Sequence, residues 1–123
     1  MDIKITKAKQ LKSHPKDESL GFGTIFTDHM LIMKYNGYED GWSEAEIRPY
    51  GKLGLEPASA CLHYGQIVWE GMKCYRTDDG LKLFRPYDNF TRLNNSARRM
   101  CMPEIDPAFF FKVLKELVKI EKD

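Results

Sequence analysis

Side chains suited to chemistry concentrate between Leu62 and Pro103, in the run LHYGQIVWEGMKCYRTDDGLKLFRPYDNFTRLNNSARRMCMP. Arg92 stands between Phe90 and Leu93, at the edge of the apolar positions of a helical repeat. An arginine so placed can lay its stem along a core and present its planar fork of donors in a cleft, where the fork matches phosphate oxygens. Arg98 and Arg99 fall nearer the solvent side of the same repeat. Tyr64, Trp69 and Gly71 surround a bend. A phenol and an indole there could wall an apolar ligand, while the glycine says first that the backbone needs room. Spacing alone leaves each role open, because a flanking arginine is commonly solvated or salt-bridged and aromatics at a bend commonly fill a core or an interface.

The elements that must position these residues follow from pattern. Tyr64, Trp69 and Gly71 ride on a strand-like segment that leads to a hairpin, Met72–Arg76 against Leu81–Arg85. The turn is expected at Asp79-Gly80, since an Asp-Gly pair between alternating runs suits a type I′ turn with positive φ at both central residues. After Pro86 the period changes: Phe90, Leu93, Ala97 and Met100 form the stripe of an amphipathic helix, with Asp88 as N-cap and Pro103 as its end. A second helix starts with Asp106 as cap and Pro107 in its first position, burying Phe110, Val113, Leu114, Leu117 and Val118.

Upstream, residues 22–35 are rich in β-branched and aromatic side chains and predict a strand bent near Asp28-His29. Residues 42–50 alternate, with Ala45 and Ile47 inward and Glu44, Glu46 and Arg48 outward, and Pro49 suits a strand end. Residues 51–57 read as loop, and the apolar run Ser59–Tyr64 as a short buried strand. Residues 1–20 form a loosely ordered, lysine-rich arm with one short strand near Ile3–Ile5, and residues 21–123 one small domain. The class is α+β: an antiparallel sheet followed by two C-terminal helices.

Composition narrows function more than it names one. With 19 basic and 18 acidic side chains interspersed, the chain lacks the charge footprint of a nucleic-acid or membrane-surface binder. No apolar run is long enough for a membrane span and the start lacks the core of a secretory signal, so a cytoplasmic location is expected. Cys61, Cys74 and Cys101 read as reduced thiols, and Cys61 with His63 has no partner pair at ligand spacing, so no metal site is expected.

The ordered blocks HYG, WEGMK, LFRP and NFTRL, ending in SARR-M-x-MP, together with GTIFTDHMLIMKY and GW-x-x-A-x-I-x-P upstream, resemble the branched-chain amino-acid aminotransferases. These are pyridoxal 5'-phosphate enzymes of fold type IV, with a D-amino-acid-aminotransferase-like fold. The resemblance runs from about Gly21 onward and implies the N-terminal small domain of such an enzyme. It implies transfer of the amino group of leucine, isoleucine or valine to 2-oxoglutarate, and a homodimer when intact. Arg92 would bind the cofactor phosphate; Tyr64, Trp69 and Gly71 would line the substrate side-chain pocket. The lysine that forms the Schiff base would lie beyond Asp123, and Lys73, nearest the motif, stands where the family has an ordinary strand residue. The ending EKD, with no capping glycine, reads as a chain cut within a longer protein. On this reading the chain alone is inactive. Two alternatives stand beside it: a D-amino-acid aminotransferase or aminodeoxychorismate lyase of the same fold, and a non-catalytic binding or dimerisation module.

Overall fold

Ala45 and Ile47 lose all contact with solvent because they lie on the inner face of the central strand of a three-stranded sheet. The computed structural model describes residues 2–37 and 39–122. Met1, at the start of the expected arm, Tyr38, and Asp123, at the end of the expected small domain, lie outside the described residues. Two compact units divide the chain, Met1–Lys52 with Val113–Asp123, and Leu53–Lys112.

In the first unit the sheet comprises β1 (Ile3–Ile5), β2 (His29–Ile32) and β3 (Ala45–Pro49), in the order β1-β3-β2. β2 runs antiparallel to β3 with Leu31 opposite Ile47. β1 adds a parallel edge, Ile3 opposite Ala45, so the first residues of the arm complete the sheet. The strand expected over residues 22–35 is confined to β2. Residues 22–28 find no partner strand; instead the Lys12 ammonium takes the carbonyls of Phe26 and Thr27, at 3.4 and 3.2 Å. The turn after β2 is closed by an edge-to-face contact of Tyr35 and Trp42, with ring centroids 5.3 Å apart.

A buried polar knot finishes this unit. His29 Nε2 accepts the Ala8 N–H at 2.8 Å, which puts the ring proton on Nδ1, facing Glu121 Oε1. Glu121 also accepts the N–H groups of Asp28 and His29, at 3.1 and 2.9 Å. One carboxylate thereby satisfies three donors at the bend that the sequence marks near Asp28-His29.

The second unit begins with α1 (Ala60–His63), a single turn where a strand was expected. A short apolar run suits either state, and here no neighbouring strand offers a ladder. Gly65, at φ +62°, ends the turn, and residues 65–73 are irregular, so the segment carrying Trp69 and Gly71 is not a strand. β4 (Cys74–Thr77) and β5 (Gly80–Leu83) form the expected hairpin, but Thr77 pairs with Gly80 and the two loop residues are Asp78 and Asp79. Only Gly80 has positive φ, +105°. Asp79 avoids the left-handed region that a type I′ turn would force on it, and glycine takes the final turn position instead.

α2 (Pro86–Arg99) starts earlier than an Asp88 cap would allow. Proline occupies the first helical position, where a missing N–H costs nothing, and Asp88 lies inside the first turn, paired with Arg85. Its stripe is buried at Phe90 and Ala97. The end is also not Pro103: Cys101, at φ +54°, reverses the chain, with Met102 N–H bonded to Ala97 O at 2.8 Å and Cys101 N–H to Arg98 O at 3.2 Å. That is a Schellman ending, satisfying carbonyls the helix leaves open. α3 (Pro107–Ile120) is capped as expected, Asp106 Oδ1 accepting from the N–H groups of Ala108 and Phe109 at 2.8 and 3.3 Å. Within the second unit Phe90 packs edge-on against Phe110, centroids 5.3 Å apart, with Tyr87 and Phe111 around it.

A non-glycine residue in the left-handed region is strained by about 1–2 kcal/mol. Cys101→Gly is therefore expected to raise the unfolding free energy by about 0.5–1 kcal/mol once the looser unfolded chain is counted, read as a higher urea midpoint. Cys101→Ala, which keeps a Cβ, should give no such gain in the same urea titration.

Candidate functional site

Arg92 lies on the exposed side of α2, its side chain 61% accessible, yet it is not loose. Its Nη2 donates to Glu70 Oε1 at 2.5 Å and its Nε to Glu70 Oε2 at 3.1 Å. Two parallel bonds between a planar fork and a carboxylate fix orientation as well as distance. Glu70 is held by a second group as well: Asn89 Nδ2 donates to Glu70 Oε1 and to the Gly71 carbonyl, both at 2.9 Å. Asn89 is buried, 8% exposed, and one helical turn before Arg92, so a single rigid element carries both groups that hold the irregular segment.

Charge follows geometry. The hydrogen bond from Arg92 holds the Glu70 carboxyl below the ordinary glutamate range; partial burial opposes this, and Asn89 reinforces it. Reciprocally, the hydrogen bond to Glu70 raises Arg92 above its ordinary value. Among the described residues Arg92 Nη1 donates to no protein group, which leaves one end of the fork open to an anion.

The other residues singled out by sequence lie in the same unit. Trp69 immediately precedes Glu70 and is 81% exposed. A Cβ on Gly71 would stand 3.1 Å from Trp69 Cζ3, so glycine is what lets the indole fold back over the chain. Tyr64, the residue that ends α1, is 86% exposed, and its side chain has no hydrogen bond or ring contact with Trp69 or Arg92 among the described residues. Arg92 is thus brought to the Trp69–Gly71 segment, and Tyr64 is not tied to either. Arg98 makes its own two-pronged pair, with Glu104 at 3.0 and 2.7 Å, away from that segment. Glu70 and Asn89 stand inside the blocks WEGMK and NFTRL, but no pattern within either block marks them. Their separation of 19 residues hides the bond between them. Cys61, Cys74 and Cys101 are free thiols, and no group of three or more His, Cys, Asp or Glu side chains converges among the described residues. No described helix is long and apolar enough to cross a membrane.

Known proteins resemble this chain over nearly its whole length. The chain is 46% identical over 121 residues to a probable branched-chain-amino-acid aminotransferase of Staphylococcus aureus (strain N315), covering 98% of this chain and 34% of that protein. It is 48% identical over 122 residues to branched-chain-amino-acid transaminase 1 of Bacillus subtilis (strain 168), again 98% of this chain and 34% of the relative. It is 47% identical over 120 residues to the mitochondrial branched-chain-amino-acid aminotransferase of Schizosaccharomyces pombe, 97% of this chain and 28% of that protein. Over nearly its whole length the chain is thus similar to branched-chain-amino-acid aminotransferases.

The match reaches past the blocks that begin at Gly21, taking in the N-terminal arm as well. The chain spans about a third of the length of the curated relatives it matches, their N-terminal part. No protein-family model matches it. The α+β architecture with two C-terminal helices agrees with the fold type IV of this aminotransferase family.

The pair sets an acid limit on the segment. A carboxylate whose folded value is depressed contributes fully above the ordinary glutamate value of about 4.3 and is lost as pH falls from there through the folded value. Arg92, raised by its bond to Glu70, stays charged and keeps its contribution throughout the acid and neutral range. The Arg92 Nε–H resonance should therefore be constant from about pH 7 to about pH 5 and fade only below about pH 4.3. In Glu70→Gln the acid-dependent step should vanish. A loss between about pH 7 and 6, where only histidine ordinarily titrates, would contradict the pairing.

Proposed function

We propose that this chain serves as the N-terminal small domain of a branched-chain amino-acid aminotransferase acting on leucine, isoleucine or valine and 2-oxoglutarate. The observation that carries the reading is the open Nη1 end of an arginine otherwise fixed on Glu70, in a chain whose relatives are named branched-chain aminotransferases. Pyridoxal phosphate, when bound, supplies the electron sink for removing the substrate's α-proton. What this chain contributes is recognition. Arg92 holds the phosphate end through Nη1, and Trp69 with Gly71 offers an apolar wall for the substrate side chain. Tyr64 is assigned to the same pocket on the resemblance of its HYG block, since no contact ties it to Trp69 among the described residues.

Charge bookkeeping limits that contribution. Arg92 and Glu70 cancel as a pair, so a phosphate dianion gains directed hydrogen bonds here but little net charge. The remaining donors and the catalytic lysine are assigned to sequence outside this chain, and the chain by itself is inactive. The exposed Tyr64, Ile67, Trp69 and Phe84 favour burial against further protein, in keeping with a homodimer. Balanced charge and free thiols favour a cytoplasmic enzyme that binds neither nucleic acid nor membrane.

Arg92→Ala in the complete enzyme is expected to weaken cofactor retention by about one to two powers of ten, at roughly 1.5–3 kcal/mol per charge-assisted bond to phosphate. Arg98→Ala, which breaks an equally well-formed pair elsewhere on α2, should leave retention unchanged. Equal dissociation rates from the two variants would remove Arg92 from the phosphate site. Trp69→Ala should keep cofactor absorbance while lowering kcat/KM for leucine by about tenfold or more, the loss of an apolar wall being worth about 1–3 kcal/mol. An unaltered leucine rate would make Trp69 a packing residue only.

A further inference from the structure

We infer that Glu70 and Asn89 are positioning residues for phosphate recognition by Arg92, an assignment that rests on the reading of Arg92 as the phosphate anchor. An arginine stem has several freely rotating bonds, and nothing in the packing of an exposed helix face would hold its head in one place. Here the head is held. Glu70 takes Nε and one Nη2 proton, so the guanidinium plane is set by the carboxylate plane and the end that remains available is the one bearing Nη1.

That function requires a carboxylate that cannot turn away. The Glu70 side chain is 16% exposed, and Asn89 donates to Oε1, the oxygen that also accepts from Arg92 Nη2. The second Asn89 amide proton goes to the Gly71 carbonyl, so rotation of the amide would break both bonds together. An aspartate in its place would have no proton to give either acceptor and would set a second negative charge against Glu70. The same buried amide thereby joins two duties that the sequence keeps apart. It fixes the segment that presents Trp69 over Gly71, and it fixes the acceptor that aims Arg92.

The test compares pyridoxal phosphate with pyridoxal, which lacks the phosphate, in the complete enzyme bearing this chain. Glu70→Ala and Asn89→Ala should each weaken pyridoxal phosphate by about three- to tenfold, as expected for a lost charge-assisted bond acting indirectly. Both should leave pyridoxal affinity unchanged. Glu70→Gln, which keeps the volume and loses one prong, should shift affinity in the same direction by less, and guards against misfolding of the alanine variant. Combined with Arg92→Ala, Glu70→Ala should have no further effect, whereas a merely structural role predicts that the two losses multiply. Equal loss of both ligands, or full additivity, overturns the positioning role while leaving Arg92 as anchor. If Arg92→Ala itself fails to discriminate pyridoxal phosphate from pyridoxal, the anchor reading falls and this assignment with it.

Discussion

A guanidinium fork seated on the Glu70 carboxylate is the constraint around which residues 65–73 and α2 are arranged. Glu70 sits in a stretch with no regular hydrogen-bonding ladder, and Arg92 lies 22 residues further along on α2. Irregular backbone has no ladder to define its course, so side-chain bonds must do so. The Asn89 amide supplies the backbone half of that duty at the Gly71 carbonyl. Remove the pair, and Trp69, Gly71 and Arg92 lose the reason to be near one another.

The helix that carries these groups is rigid for separate causes. Phe90, fully buried between Asn89 and the turn bearing Arg92, is enclosed by Tyr87, Phe110 and Phe111, and truncating such a ring costs about 3–5 kcal/mol. At the far end, Cys101 reverses the chain and Gln66 reaches across to donate to the Met100 carbonyl at 3.0 Å. Asn94 exchanges two hydrogen bonds with the backbone of Ile105, both 2.9 Å, fixing the link to α3. Polar residues at the rim of the helix therefore work on its neighbours, while the apolar stripe fixes its roll.

Elements with a strong local cause were legible in the sequence. The period of Phe90, Leu93, Ala97 and Met100 announces α2, Asp106-Pro107 announces the start of α3, and the Asp-Gly pair announces the hairpin, though with the loop one residue early. Alternation gave β3 its buried Ala45 and Ile47. Features that depend on a distant partner were not legible. Residues 22–28 have strand composition without a partner strand, Ser59–Tyr64 lacks a ladder and closes into one helical turn, and β1 joins β3 in parallel from more than forty residues away. Arg92 was visible as an arginine at the rim of a stripe; that it pairs with a glutamate itself bonded to a buried asparagine was not, since no periodicity marks a bond between a loop and a helix. Ordered motif blocks carried the family, and the relatives extend that assignment through the arm.

The most direct measurement is a crystal structure of the complete enzyme with pyridoxal phosphate bound. The account predicts a phosphate oxygen within hydrogen-bond distance of Arg92 Nη1, about 2.7–2.9 Å, while Nε and Nη2 stay on Glu70 and Asn89 stays on both Glu70 and Gly71. A phosphate held without Arg92, or an Arg92 that has left Glu70 to reach it, would contradict the account.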